Sequence, residues 1–178
     1  MTAKARVATL WLDACSGCHM SFLDIDERIL ELAGKISLVY SPLVDAKEFP
    51  ENVDLTLIEG AIATDEDKEK VKTARARTKL LVALGDCAVT GNVPSMRNNI
   101  SVEELLRTSY VENATDRQGP PTIEVPKLED KVIPLGELVK VDVFIPGCPP
   151  SADLIHFVLS EVLAGRTPDL ATRSHFGN

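Results

Sequence analysis

The chain has 178 residues, 44% hydrophobic and 26% charged, with a formal net charge of −8 and a pI near 4.9. That balance suits one globular domain with a real core and excludes nucleic-acid backbone binding, which needs clustered Lys and Arg. No apolar run is long enough to span a bilayer, and the short apolar stretch after Met1 to Arg6 meets Asp13 and Cys15 rather than a small-residue cleavage site, so a cytoplasmic chain without a signal peptide is expected.

Arg6 to Leu12 predicts a buried strand, and Cys15-Ser16-Gly17-Cys18 follows at once. Phe22, Ile25, Ile29 and Leu32 recur at helical spacing and predict one helix from about Met20 to Ala33, ended by Gly34. Ile36 to Tyr40 predicts a second strand, stopped by Pro42; Val53 to Ile58 predicts a third, leading into Glu59-Gly60. Asp65 to Thr78 reads as a highly charged helix with a solvated face. Lys79 to Leu84 is the expected fourth strand, leading into Gly85-Asp86-Cys87. Val141 to Ile145 is the fifth, leading into Pro146-Gly147-Cys148-Pro149-Pro150. Ser151 is the expected N-cap of a last helix, Ala152 to Leu163, with Leu154, Ile155, Val158, Leu159 and Val162 toward the sheet.

Strands alternating with helices predict an α/β fold of three layers, flavodoxin-like, with a parallel sheet and helices on both faces. We expect a single domain over residues 1–178, with a long irregular insertion at 91–137 and a C-terminal tail at 166–178. The insertion carries Pro94, Pro120, Pro121, Pro126 and Pro134 and one short helix near Val102 to Thr108. A connection of that length points to a function or a partner.

All four cysteines follow the carboxyl end of a predicted strand: Cys15 and Cys18 after the first, Cys87 after the fourth, Cys148 after the fifth. In a parallel sheet those ends lie along one edge, where ligands bind. Unrelated buried thiols would have no reason to share that position, and cytosolic disulfides are rare. Four converging thiolates suit zinc or an iron-sulfur cluster. Structural zinc usually uses two local pairs, whereas only one pair exists here, so the spacing favours a cluster. A zinc-stabilised scaffold remains the rival reading. A redox-active CxxC before a helix leaves Cys87 and Cys148 unexplained. Gly17, Gly85 and Gly147 let backbone N–H groups approach the sulfurs, and such hydrogen bonds tune the reduction potential.

The segments Trp11-Leu-Asp-Ala-Cys-Ser-Gly-Cys-His-Met-Ser-Phe, Glu59-Gly60, Gly85-Asp86-Cys87 and Pro146-Gly147-Cys148-Pro149-Pro150 resemble the small subunit of NiFe hydrogenases. The likeness is strongest to the bidirectional, NAD-reducing type and covers about Val7 to Gly165. A related branch, the cluster-bearing subunit of respiratory complex I, has two adjacent cysteines in the first motif; here Ser16-Gly17 separates them, which favours the hydrogenase branch. Many hydrogenase small subunits carry a further cysteine-rich C-terminal domain; no cysteine follows Cys148, so the short, NAD-linked pattern is expected here instead. The resemblance implies one 4Fe-4S cluster held by Cys15, Cys18, Cys87 and Cys148. It also implies a NiFe centre in a separate large subunit and a diaphorase module with iron-sulfur clusters and FMN that reduces NAD+. The chain would then relay electrons for the reversible reaction of H2 and NAD+ to NADH and H+, without a catalytic residue of its own.

Other polar residues carry weaker expectations. Glu59, on the cysteine-bearing edge, reads either as a proton relay or as a capping carboxylate. Asp13 and Asp86 read as turn formers. His19 could tune the cluster or line an interface, and Ser16 and Thr90 could donate to its sulfurs. Met20 and Phe22 read as core, and His156 as structural; His175 in the tail carries no message. An FMN at the sheet edge stays open by likeness to flavodoxin. No G-x-G-x-x-G occurs, so direct NAD binding is not expected.

Overall fold

The computed structural model describes residues 4–116, 119–171 and 173; His175 lies outside them. In chain order the elements are β1 (Ala5–Trp11), α1 (Gly17–Leu23), α2 (Ile29–Ala33), β2 (Ile36–Tyr40), β3 (Val53–Glu59), β4 (Ile62–Thr64), α3 (Asp65–Arg77), β5 (Thr78–Leu84), α4 (Asp86–Thr90), α5 (Val102–Arg107), β6 (Leu128–Ile133), β7 (Val143–Ile145) and α6 (Ala152–Leu163). Five strands form a parallel sheet in the order β2-β1-β3-β5-β7. This is the expected doubly wound order, with its reversal between β1 and β3.

The central strands are buried on both faces, which is why they read as near-continuous apolar runs. Side chains alternate between two cores. Val82 and Leu84 of β5 join the cluster of Ile25, Leu32, Ile155 and Leu159 under α2 and α6. Leu81 and Ala83 join Val71, Ala74 and Ala88 under α3 and α4. The charged α3 keeps its register through a capping box. Thr64 accepts the Asp67 N–H through its hydroxyl, while the Asp67 carboxylate accepts the Thr64 N–H. Acidic residues occupy the first turn and Arg75 and Arg77 the last, as the helix dipole favours. Ser151 caps α6 as expected, accepting from the Leu154 N–H.

Three differences from the sequence reading have local causes. The single helix expected over Met20 to Ala33 is split: α1 ends at Leu23, and Asp26 takes a left-handed φ of 55° before a short 3-10 turn over Asp26–Arg28. Aspartate is among the few residues that adopt this conformation at low cost, so the apolar spacing of Phe22 to Leu32 survives across a break. Within 91–137 the described residues are more regular than expected. Val93–Asn99 is a 3-10 helix, α5 runs on into a π turn at Thr108–Glu112, and β6 returns to pair antiparallel with β4. Neither β4 nor β6 is among the expected strands. Last, β7 begins at Val143 rather than Val141.

The late start of β7 follows from Asp142. Its Oδ2 accepts the Leu81 N–H at 2.9 Å and an Arg75 N–H at 2.6 Å, so a side chain takes the Leu81 N–H from the ladder, although the Asp142 N–H still donates to the Leu81 carbonyl at 2.9 Å. Burial pushes the Asp142 pKa up, but the Leu81 N–H and the Arg75 guanidinium outweigh it and hold the carboxyl below the ordinary 3.8. A depressed carboxylate stabilises the fold above its unfolded pKa and loses that contribution as pH falls through its folded value. Asp142→Ala is expected to lower stability by about 1–3 kcal/mol, read as a reduced urea midpoint at pH 7. The difference from wild type should shrink as the pH is taken below the aspartate range.

Candidate metal centre

Four adjacent strands end flush. Trp11 of β1 pairs with Glu59 of β3, Glu59 with Leu84 of β5, and Leu84 with Ile145 of β7. The loops that follow β1, β5 and β7 carry the cysteines. Cys18 sits in the first turn of α1, Cys87 in that of α4, and Cys148 just before α6. Cys15 and Cys148 are exposed, Cys87 half-buried and Cys18 buried, and none is in a disulfide.

The thiols lie close enough to disturb each other electrostatically. Burial first, then negative charge at Glu59, Cys87, Cys15 and Cys148, drives the Cys18 pKa far above its usual 9.0. Burial, then Cys148 and Cys15, pushes Cys87 up to about 11. Such a set cannot hold its thiolates at neutral pH alone; it needs positive charge placed among them, as a metal group supplies. Backbone space is shaped to match. A Cβ on Gly85, whose φ is 83°, would lie 2.2 Å from Cys18 Sγ, and one on Gly17 would lie 3.2 Å from Cys15 Sγ. The Gly17 N–H donates to Cys15 Sγ at 3.4 Å. Among the described residues, no three His, Cys, Asp or Glu side chains are arranged to enclose a single metal ion. Four neighbouring thiols from three loops are the donor set of a thiolate-held group.

Glu59 is 1% exposed. Its carboxylate accepts the Cys18 N–H at 3.3 Å and the His19 N–H at 2.9 Å, and bonds the His19 ring through Nδ1. His19 Nε2 meets Thr9 Oγ1 at 3.0 Å, and Thr9 Oγ1 donates to Ser41 Oγ at 2.9 Å. Glu59 thus fastens the CxxC loop to β3 at the switch point, and His19 is fastened with it.

Two further ties carry no signal in the sequence. Asp86 is more than a turn former: its Oδ1 accepts the Gly147 N–H at 2.7 Å, while its own N–H donates to the Gly147 carbonyl at 2.9 Å. The Cys87 and Cys148 loops are thereby locked together. Asn92 Nδ2 donates to Cys148 Sγ at 3.5 Å. Thr90 instead donates to the Asp86 carbonyl, and Ser16 adopts a left-handed φ of 68° at the start of α1. Asp13 forms a backbone bridge to Ala61; burial first, then Asp67, raises its carboxyl pKa, and Arg97 opposes the rise. Phe22 packs on the core, but Met20 is 64% exposed, against expectation, because α1 turns it away from the sheet. His156 is partly buried on α6.

The fold and the site define a class: a parallel α/β domain whose crest presents four convergent thiols from three loops. The chain belongs to the family described as NADH ubiquinone oxidoreductase, 20 Kd subunit, which it matches over residues 15–162, a span that includes all four cysteines. It is 41% identical over 172 residues to the delta subunit of the NAD-reducing hydrogenase HoxS of Cupriavidus necator, covering 94% of this chain and 82% of that one. It is 37% identical over 175 residues to a subunit of the vhu F420-non-reducing hydrogenase of Methanocaldococcus jannaschii, but spans only 61% of that protein's length. The iron-sulfur subunit of the F420-non-reducing hydrogenase of Archaeoglobus profundus is 30% identical over 183 residues, covering 92% of this chain and 57% of that one. A crystal structure of a NAD+-reducing [NiFe]-hydrogenase in the H2-reduced state superposes with a TM-score of 0.93 at 39% identity, covering 99% of this chain and all of that one. The likeness to hydrogenase small subunits read from the motifs therefore holds. No helix among the described residues is long and apolar enough to cross a membrane.

Gly85 offers a direct test of the crest. Gly85→Ala sets a methyl 2.2 Å from Cys18 Sγ at a φ of 83°, which strains the backbone and displaces the buried thiol. Iron bound per chain is expected to fall at least tenfold, measured colorimetrically, with the far-UV CD spectrum of the sheet retained.

Proposed function

We propose that this chain is the electron-transfer small subunit of a NAD-reducing NiFe hydrogenase, holding one 4Fe-4S cluster through Cys15, Cys18, Cys87 and Cys148. The observation that carries this is the meeting of those four thiols on the flush edge of β1, β5 and β7, in a chain whose relatives are named as hydrogenase subunits. A cluster suits the donor arrangement better than zinc does. Structural zinc is usually held by two local pairs of ligands, whereas only Cys15 and Cys18 form such a pair here and Cys87 and Cys148 are single and distant. When bound, the cluster supplies one-electron acceptance and release.

The chain's own residues do the rest. Cys18 and Cys87 anchor the group on the buried side, and Cys15 and Cys148 face outward. Trp11, Met20, Val93 and Met96 are exposed apolar side chains on the segments that carry or adjoin the thiols. They suit docking of a partner that excludes water, the large subunit bearing NiFe. A diaphorase module with iron-sulfur clusters and FMN would receive the electrons and pass them to NAD+. The domain, residues 1–178, would act as one unit, with 91–137 contributing to an interface. Nothing in the sheet edge calls for FMN in this chain once the thiols are filled.

Glu59 is best read as a positioning group, since every strong contact of its carboxylate fastens the CxxC loop. In Glu59→Gln one oxygen becomes an NH2 facing an N–H donor, whichever way the amide turns. Cluster occupancy and H2-driven NAD+ reduction should then fall together, leaving turnover per cluster unchanged. Full occupancy with turnover cut more than tenfold would instead mark Glu59 as a proton relay.

The ligand set has its own test. Replacing any one of the four cysteines by Ser should cut iron content and abolish H2-driven NAD+ reduction in the assembled complex. The chain purified alone should carry about four irons, no nickel and no hydrogenase activity. Full activity of any single mutant, or stoichiometric nickel in the isolated chain, would overturn the assignment.

A further inference from the structure

Asn92 follows Gly91 at the end of α4, where the chain must turn sharply. Gly91 has a φ of 86°, and Asn92 itself sits at φ 33°, ψ −128°. That region is natural for glycine and strained for any residue with a Cβ. The turn is held by its own backbone, since the Asn92 carbonyl accepts both the N–H and the hydroxyl of Ser95 at 3.2 and 2.7 Å. None of those bonds uses the Asn92 side chain. Glycine would make the same turn without strain, so the amide must contribute something that the turn does not need.

What the amide reaches is sulfur. Asn92 Nδ2 lies 3.5 Å from Cys148 Sγ, and among the described residues it is the side chain that donates to one of the four thiols. A thiolate only accepts hydrogen bonds, so a bound cluster would fix the amide with its NH2 toward sulfur. Cys148 is an exposed ligand, reached over 56 positions of sequence from a separate loop. A donor there stabilises the more electron-rich, reduced state of a thiolate-held cluster.

We propose that Asn92 is a potential-setting residue: its strained backbone is retained so that its amide can donate to Cys148 and raise the reduction potential of the group the four cysteines hold. The inference rests on the cluster reading above. One neutral hydrogen bond of ordinary strength shifts an equilibrium by about fivefold, here the ratio of reduced to oxidised cluster at a fixed ambient potential. For a one-electron couple that ratio corresponds to about 40 mV.

The test uses the full chain, purified anaerobically with its iron, and two variants. In Asn92→Gly the strain is relieved and the amide removed. Thermal stability should be equal or higher, iron content unchanged, and the midpoint potential from an EPR-monitored redox titration lower by the fivefold ratio. In Asn92→Asp a carboxylate faces the sulfur in place of a donor, and the potential should fall further. A purely structural Asn92 would move stability and leave the potential alone. Potential shifts worth less than twofold in that ratio, about 18 mV, in both variants with the cluster signal intact overturn the proposal. So does loss of iron from the glycine variant, which would make Asn92 a requirement for holding the cluster. A wild-type chain without iron or an EPR signal overturns the cluster reading itself, and this inference with it.

Discussion

The site depends on one alignment: Trp11, Glu59, Leu84 and Ile145 pair across four strands and end them at the same height. Parallel pairing fixes this alignment through evenly spaced backbone hydrogen bonds. A slip of one residue in a central strand would exchange the side chains it presents to the two cores. The two apolar cores on the faces of the sheet therefore guard the register, and the register sets where the loops begin. Thiols far apart in sequence meet because apolar packing elsewhere permits no other alignment.

At the crest, polar contacts take over from packing. Glu59 occupies the edge between the β1 and β5 loops, fully buried, and binds the two N–H groups at the start of α1. A carboxylate so placed satisfies helix donors that would otherwise be orphaned. It also adds negative charge beside Cys18, which opposes ionisation of that thiol. The arrangement holds loop geometry at the expense of free-thiol acidity, a balance that makes sense only where metal charge completes the site.

Much of this was legible in the sequence, for physical reasons. The five sheet strands are short apolar runs bounded by Gly, Pro or charge, and in the central strands burial on both faces writes such runs plainly. The cysteines could be placed because each follows one of those runs directly. What stayed hidden depends on distant partners. Ile62-Ala63-Thr64 is too short to announce a strand, and β6 pairs with it only across a long stretch of intervening chain. The break at Asp26 hides inside an unbroken helical spacing. Asn92 gives no sign in the sequence, because its backbone strain and its reach to Cys148 exist only once two loops have met. Met20 misleads by composition: an apolar residue in an amphipathic stretch, it faces solvent at the crest.

The reciprocal pair between Asp86 and Gly147 has a consequence for the proposed electron relay. Together with the Gly85 N–H bond to the Ile145 carbonyl at 2.8 Å, it welds the β5 and β7 loops into one body. A site that gains and loses a single charge must respond to each change, and whatever shifts in response slows the next transfer. Here two of the three thiol-bearing loops cannot drift apart, and the third is fastened by Glu59. If the crest relays electrons as proposed, the protein frame would contribute little to the reorganisation energy, and transfer would be governed by distance and driving force rather than by motion of the ligands.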